Sequence, residues 1–298
     1  MLEICDLEKE VEDRIREIGW KELTPIQKKS FPVILRERSA LVVAPTGSGK
    51  TEAVVIPIFT LLSHKKSTRK GIKVLYITPL RALNRDILRR IINYAEREGL
   101  KAEIRHGDTP LSIRRKMVEE PPDVLITTPE TLGVLLVGKR LKLHLKSVEW
   151  IIVDELHELI GNERGSHLTI SLERIEALSN EKVKRIGLSA TLGNLSIAAK
   201  FLSGIDRKCA VLVDNSIRDY DIKCKYVDGS FLQVADFILD YFKKMNGENK
   251  TILIFTNTRD EAEFIGAILK AKSPDIPVEV HHGSLSKEVR ESTEIKLR

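Results

Sequence analysis

"LVVAPTGSGKTEAVV", residues 41–55, passes from a run of β-branched and apolar residues through a turn holding two glycines into helical spacing. The order is strand, turn, helix. Gly47 and Gly49 let the backbone curl so that successive N–H groups face one point. A helix beginning near Lys50 adds its positive dipole end at the same place. Such a turn attracts a phosphate chain. On the pattern G-x-x-x-x-G-K-[ST], Lys50 reaches the β- and γ-phosphates and the Thr51 hydroxyl ligates Mg²⁺. The candidate nucleotide site therefore runs through Ala44, Pro45, Thr46, Gly47, Ser48, Gly49, Lys50 and Thr51. Ala44 stands where the pattern has its first glycine, while "GSGKT" is intact.

Working outward, "ALVVA" (40–44), "KVLYIT" (73–78), "DVLITT" (123–128), "WIIVD" (150–154), "KRIGLS" (184–189) and "AVLV" (210–213) read as buried strands. Helical patterns lie between them, for example at 50–63, 80–97 and 166–178. Alternation of this kind predicts an α/β fold, a parallel sheet with helices on both faces and ligands at the carboxyl ends of its strands. "WIIVDELHEL" sets Asp154 and Glu155 at such an end. There Asp154 would hold Mg²⁺ through water, and Glu155 would polarise an attacking water. Acids in that position also serve as helix N-caps.

A second, smaller series follows the polar stretch "DNSIRDYD" (214–221), which divides the chain into residues 1–215 and 216–298. "DIKCKYV", "TILIFT" (251–256) and "VEVH" (278–281) read as its strands, with helices near 231–245 and 259–272. In "HHGSLSKEVRESTEIKLR", Ser286 reads as an N-cap, with Val289 and Ile295 the sparse apolar positions of the helix. These are too few strands for a complete sheet.

Composition narrows the class. Hydrophobic residues make up 42% of the 298 and charged residues 31%, as in a globular protein. No run approaches a membrane span, and the acidic N-terminus is unlike a secretory signal, so a cytoplasmic location is expected. Cys5, Cys209 and Cys224 have no metal-ligand spacing. The net charge of +6 suits a polyanionic partner without requiring one. Aromatics at 5% favour recognition of a nucleic-acid backbone over base stacking. The run "HKKSTRKGIK" (64–73) reads as a solvated loop.

Several of these strings, in order, resemble superfamily 2 DExH-box helicases. "DELH" matches the Asp-Glu-x-His box, and "LSAT" (188–191) the third motif. "TPLRALN" (78–84) and "TTPETL" (127–132) match the nucleic-acid-contacting motifs, and "ELTPIQ" (22–27) the adenine-recognising Q-motif. "IFTNTRDEAE" (254–263) and "HHGSLS" (281–286) resemble motif IV and the segment after it. "TPLRALNRD", "RGSHLTISLERI" and "HHGSLSKEVR" are most similar to the large-helicase-related (Lhr) group, DNA-repair helicases of archaea and bacteria. The resemblance implies a RecA-like nucleotide-binding domain followed by part of a second RecA-like domain.

It also implies roles. Gln27 would hydrogen-bond adenine, with Trp20 or Leu23 packing nearby; from the residues alone, Gln27 is equally a surface helix residue. His157 would couple the hydrolysis site to Ser189, Ala190 and Thr191, unless it is simply a satisfied polar residue on the inner helix face. The nucleic-acid candidates are Thr78, Pro79, Arg81, Thr127, Thr128 and Pro129, then Thr256, Asn257 and Arg259 in the second series. Arg164 is a further candidate, and Glu130 a brace for its loop. Of Arg81, Arg85 and Arg89, which share one helix face, only Arg81 lies in a motif. The implied ligands are ATP, Mg²⁺ and single-stranded or partly duplex nucleic acid, DNA before RNA.

In the family the second domain carries motifs V and VI, and motif VI supplies an arginine finger. Such a finger contributes about 10³–10⁵ in rate in phosphate-loop enzymes. Neither string occurs in these 298 residues, so slow hydrolysis by this chain alone is expected. The alternative is a non-catalytic nucleic-acid-binding module, or one half of a split helicase completed by a partner chain.

Overall fold

The six apolar runs that begin with "ALVVA" enter one sheet in the computed structural model. It describes residues 4–36, 38–65, 71–79, 85–205, 207–214, 223–245 and 251–297. The strands are β1 (Ala40–Val43), β2 (Val74–Ile77), β3 (Ala102–Arg105), β4 (Val124–Thr127), β5 (Trp150–Val153), β6 (Lys184–Ser189) and β7 (Ala210–Val213). Their order is β3-β4-β2-β5-β6-β1-β7, with every pairing parallel. The addition to the sequence reading is β3. Its "AEIR" is half-buried at every position, as suits an edge strand, and it lacks the apolar run of a central one.

Successive strand residues point to opposite faces, so one sheet builds two cores. Val42, Val74, Tyr76, Trp150 and Ile152 pack beneath α1 (Ile4–Glu17), α2 (Pro25–Leu35), α3 (Lys50–His64) and α4 (Arg85–Arg97). Leu41, Leu75, Ile77, Ile151 and Val153 pack beneath α5 (Leu111–Glu119), α6 (Pro129–Val137), α7 (Glu163–Leu178) and α8 (Leu195–Ser203). Burying a side chain of this size contributes about 1.5–3 kcal/mol. The three helical patterns singled out from sequence are α3, α4 and α7; residues 80–84 lie outside the described residues. None of the described helices is long and apolar enough to cross a membrane.

The chain separates into two compact units, residues 1–218 and 219–298. The described part of the second contains helices only: α9 (Phe231–Lys244), α10 (Arg259–Lys272) and α11 (Lys287–Lys296). Ser286 caps α11, accepting from the Val289 N–H. Thr258 and Glu261 form a capping box on α10, and Ala235, Leu239 and Leu269 are buried between α9 and its surroundings. The expected strands at 251–256 and 278–281 and the described residues 223–227 form no β-ladder. This corrects the sequence reading. Apolar β-branched composition makes a strand only where a neighbour takes its backbone N–H and C=O groups, and Phe255 is 90% exposed.

One buried cation ties the second face of the sheet together. Arg185 on β6, its side chain 3% exposed, donates to Glu173 Oε1 at 2.8 Å and Glu176 Oε2 at 3.3 Å on α7. It also donates to the carbonyls of Leu172 and Leu202. Arg185→Met is expected to cost about 3 kcal/mol in urea unfolding, because buried acceptors lose their donor while two carboxylates lose a partner.

Candidate functional site

Strands β2, β5, β6 and β1 are neighbours in that order, so their carboxyl ends lie side by side. The glycine turn leaves β1. Gly47 (φ 70°) and Gly49 (φ 81°) are both left-handed, and Gly49 is the N-cap of α3. Space also requires glycine: a Cβ on Gly49 would lie 2.5 Å from Gln27 Nε2 and 3.1 Å from the Trp20 ring. Gln27 and Trp20, named together from sequence as an adenine-binding residue and its neighbour, thus meet at the turn. The Ser48 hydroxyl within it is buried without a protein partner.

Gln27 is fully buried, which removes the surface-helix alternative. It belongs to a capping box at the start of α2. Its Oε1 accepts the Thr24 N–H at 2.9 Å, while Thr24 Oγ1 accepts the Gln27 N–H at 3.4 Å. With Oε1 spent on the cap, the amide must turn Nε2 toward the turn, where it has no partner.

Opposite the turn stand the acids. Lys50, the first residue of α3, is 8% exposed; burial lowers its pKa, and the charges of Glu155 and Asp154 oppose that shift. Asp154 is 3% exposed, and burial raises its pKa despite a hydrogen bond from Tyr76. Tyr76 Oη donates to Asp154 Oδ2 at 2.6 Å, and the Glu155 N–H donates to Oδ1 at 2.9 Å. No role for this tyrosine was read from sequence; the signal was a single phenol in an otherwise apolar strand, "VLYI".

Glu155 has φ 47° and is the one non-glycine residue with positive φ among the described residues. A side chain there costs about 1–2 kcal/mol. The strain sits on the residue read from sequence as the one that polarises water. Two residues on, His157 Nδ1 lies 3.1 Å from Ser189 Oγ at the end of β6, and that hydroxyl donates to the Thr191 carbonyl at 3.2 Å. The serine has one hydrogen and spends it on Thr191, so His157 Nδ1 is the donor in the pair. The geometry therefore joins His157, Ser189 and Thr191, while Ala190 is half-buried between them.

The loops after β2 and β4 hold the other candidates. Thr78 and Pro79 are buried, and the Thr78 hydroxyl has no partner. Thr127 Oγ1 donates to the Arg105 carbonyl, and Thr128 caps α6 by accepting from the Thr131 N–H, with Pro129 at the first helical turn. Both hydroxyls are engaged inside the fold. Arg164 donates to Glu130 Oε1 at 2.6 Å and to the Pro79 carbonyl at 2.8 Å, tying the two loops together. Arg81 lies outside the described residues. In the second unit, Thr256 Oγ1 donates to the Thr258 carbonyl, the Asn257 N–H to Glu261, and Arg259 to Ser284 Oγ. His281 pairs with Glu294 and His282 with Glu263.

Two outcomes are expected from this geometry. In denaturant unfolding, Glu155→Gly should exceed Glu155→Ala in stability by about 1 kcal/mol, reversing the usual order, because only glycine is unstrained at positive φ. Asp154 holds its proton more tightly folded than unfolded, so the fold loses stability as pH rises above 3.8 and the carboxyl ionises. Asp154→Asn escapes that loss. Its melting temperature should match the parent at acidic pH and move above it as pH is raised to neutrality.

Residues 24–198 match the DEAD/DEAH box helicase family. The chain is 37% identical to the ATP-dependent helicase Lhr-Core of Methanothermobacter thermautotrophicus, an alignment that takes in 93% of this chain and 35% of that protein. Among solved structures it superposes on Mycobacterium smegmatis helicase Lhr bound to ssDNA and AMP-PNP with a TM-score of 0.76. Identity there is 33%, covering 98% of this chain and 40% of that one. DEAD-box helicase Mss116 bound to ssRNA and UDP-BeF, at 20% identity and TM-score 0.73, shares the fold, with 99% of this chain and 64% of that one covered. The chain thus spans about a third of the length of the curated relatives it matches. With more than half of its residues inside the family match, this chain belongs to the DEAD/DEAH box helicases.

Proposed function

We propose that this chain is the nucleotide-binding core of an Lhr-like helicase, which binds Mg-ATP and single-stranded nucleic acid. The observation that carries the reading is the convergence of Lys50, Asp154 and Glu155 on a left-handed glycine turn beside an unpartnered Gln27 amide. The donor set fits the group: backbone amides and Lys50 for phosphates, the Gln27 N–H for a base, Thr51 and Asp154 for a cation. Thr51 and Asp154 would hold Mg²⁺, which would supply charge neutralisation for the phosphate chain. Glu155 orients a water for in-line attack. The His157–Ser189–Thr191 chain passes nucleotide state to the neighbouring strand ends.

We take residues 1–215 as the first RecA-like domain and 216–298 as part of a second. Nucleic acid lies along the loops after β2 and β4, where the α6 N-terminus and loop amides meet phosphates and Arg164 holds the two loops in register. Thr256, Asn257 and Arg259 are the second unit's contacts, and Arg81 adds a cation. DNA is the favoured partner, with RNA as its alternative, in the cytoplasm. The arginine finger would come from residues outside these 298, in the same protein or in a partner chain.

The test is binding of a fluorescent ATP analogue to the 298-residue chain, followed by ATP turnover with and without single-stranded DNA. Lys50→Ala should weaken nucleotide binding at least about tenfold through loss of a charge-assisted phosphate contact. Glu155→Gln should keep binding. Turnover by the isolated chain should stay slow and little stimulated by DNA. Strong stimulation in a monomer would overturn the need for an outside arginine, and absence of nucleotide binding would overturn the site itself.

A further inference from the structure

We propose that Tyr76 is a positioning residue for the divalent cation, its hydroxyl fixing the direction in which Asp154 presents its carboxylate oxygens. The inference rests on reading the site as one for Mg-ATP. Tyr76 is fully buried in β2, flanked by Leu75 and Ile77, which are equally buried and wholly apolar. A phenylalanine would fill that place with no polar atom to satisfy. A buried hydroxyl is costly unless it is hydrogen-bonded, and this one donates to Asp154.

The phenol has one hydrogen. At 2.6 Å from Asp154 Oδ2, a carboxylate that only accepts, it spends that hydrogen there. Asp154 Oδ1 is held separately by the Glu155 N–H at 2.9 Å. The result is a carboxylate held at both oxygens, one by a buried phenol and one by a backbone amide.

Fixing both oxygens matters because a carboxylate binds a hydrated cation through lone pairs whose direction follows the carboxyl rotamer. Tyr76 and the Glu155 N–H hold that rotamer, so the side chain would need no reorganisation on binding. Partners of this outer kind, which touch the ligands and not the metal, typically contribute 10–100-fold to metal affinity.

The test is a Mg²⁺ titration of fluorescent ATP-analogue binding to the 298-residue chain and to its Tyr76→Phe variant, with a parallel measurement in EDTA. Tyr76→Phe should raise the Mg²⁺ midpoint about tenfold or more and leave the affinity in EDTA as in the parent, while the melting temperature falls modestly because a buried carboxylate loses a donor. An unchanged midpoint would overturn the proposal. So would an equal loss in EDTA, because the hydroxyl would then serve the phosphate turn and not the cation. A Tyr76→Met variant, which fills the cavity without a hydroxyl, guards against a local packing change: it should shift the midpoint in the same direction, and a parent-like midpoint would count against the idea. If the parent itself shows no Mg²⁺ dependence, the Mg-ATP reading fails first and is identified as the failure.

Discussion

A parallel sheet sends the carboxyl end of every strand to one edge, and strand order decides which loops become neighbours there. In this chain β1 and β5 are separated only by β6, so a lysine at position 50, acids at 154 and 155 and a serine at 189 share one edge. The glycine turn, the acidic pair and the histidine–serine contact all depend on that adjacency. Each loop is ordinary by itself. The chemistry comes from the crossovers that bring them together.

Concentrating charge at that edge opposes stability. Lys50 and Asp154 are both buried, and burial moves their pKa values toward the neutral forms, down for the lysine and up for the aspartate. Glu155 adds a strained backbone. The fold offsets these costs elsewhere, through two apolar cores on opposite faces and through Arg185, which is buried but has four acceptors. The contrast between the two cations is instructive. Both terminal nitrogens of Arg185 are engaged within the protein, whereas the Lys50 site has donors and acceptors left over for a ligand.

Hydrogen-bond arithmetic assigns direction to groups that coordinates alone leave ambiguous. A capping box fixes the Gln27 amide, one serine hydrogen fixes the His157 donor, and one phenol hydrogen is spent on the Asp154 carboxylate. Arg164 does similar work for the loops after β2 and β4. It was a nucleic-acid candidate on sequence, yet its donors go to Glu130 and the Pro79 carbonyl; burial raises the Glu130 pKa, and hydrogen bonds from Arg164, the backbone and Thr128 together bring it below the usual value.

By itself the sequence determined the α/β class, six of the seven strands, the glycine turn and its lysine, the acids after β5 and the resemblance to DExH-box helicases. These are legible because each is local: apolar runs, glycine spacing and strings of a few residues carry them. Tertiary structure decided what locality cannot. It added β3, whose half-buried composition has no strand signature, and it left the runs at 251–256 and 278–281 without ladders, because a strand requires a neighbour that propensity does not supply. It buried Gln27 against the glycine turn, turned Arg164 inward and set Tyr76 on Asp154. Those are contacts between residues 22 to 85 positions apart, and only packing brings such groups together.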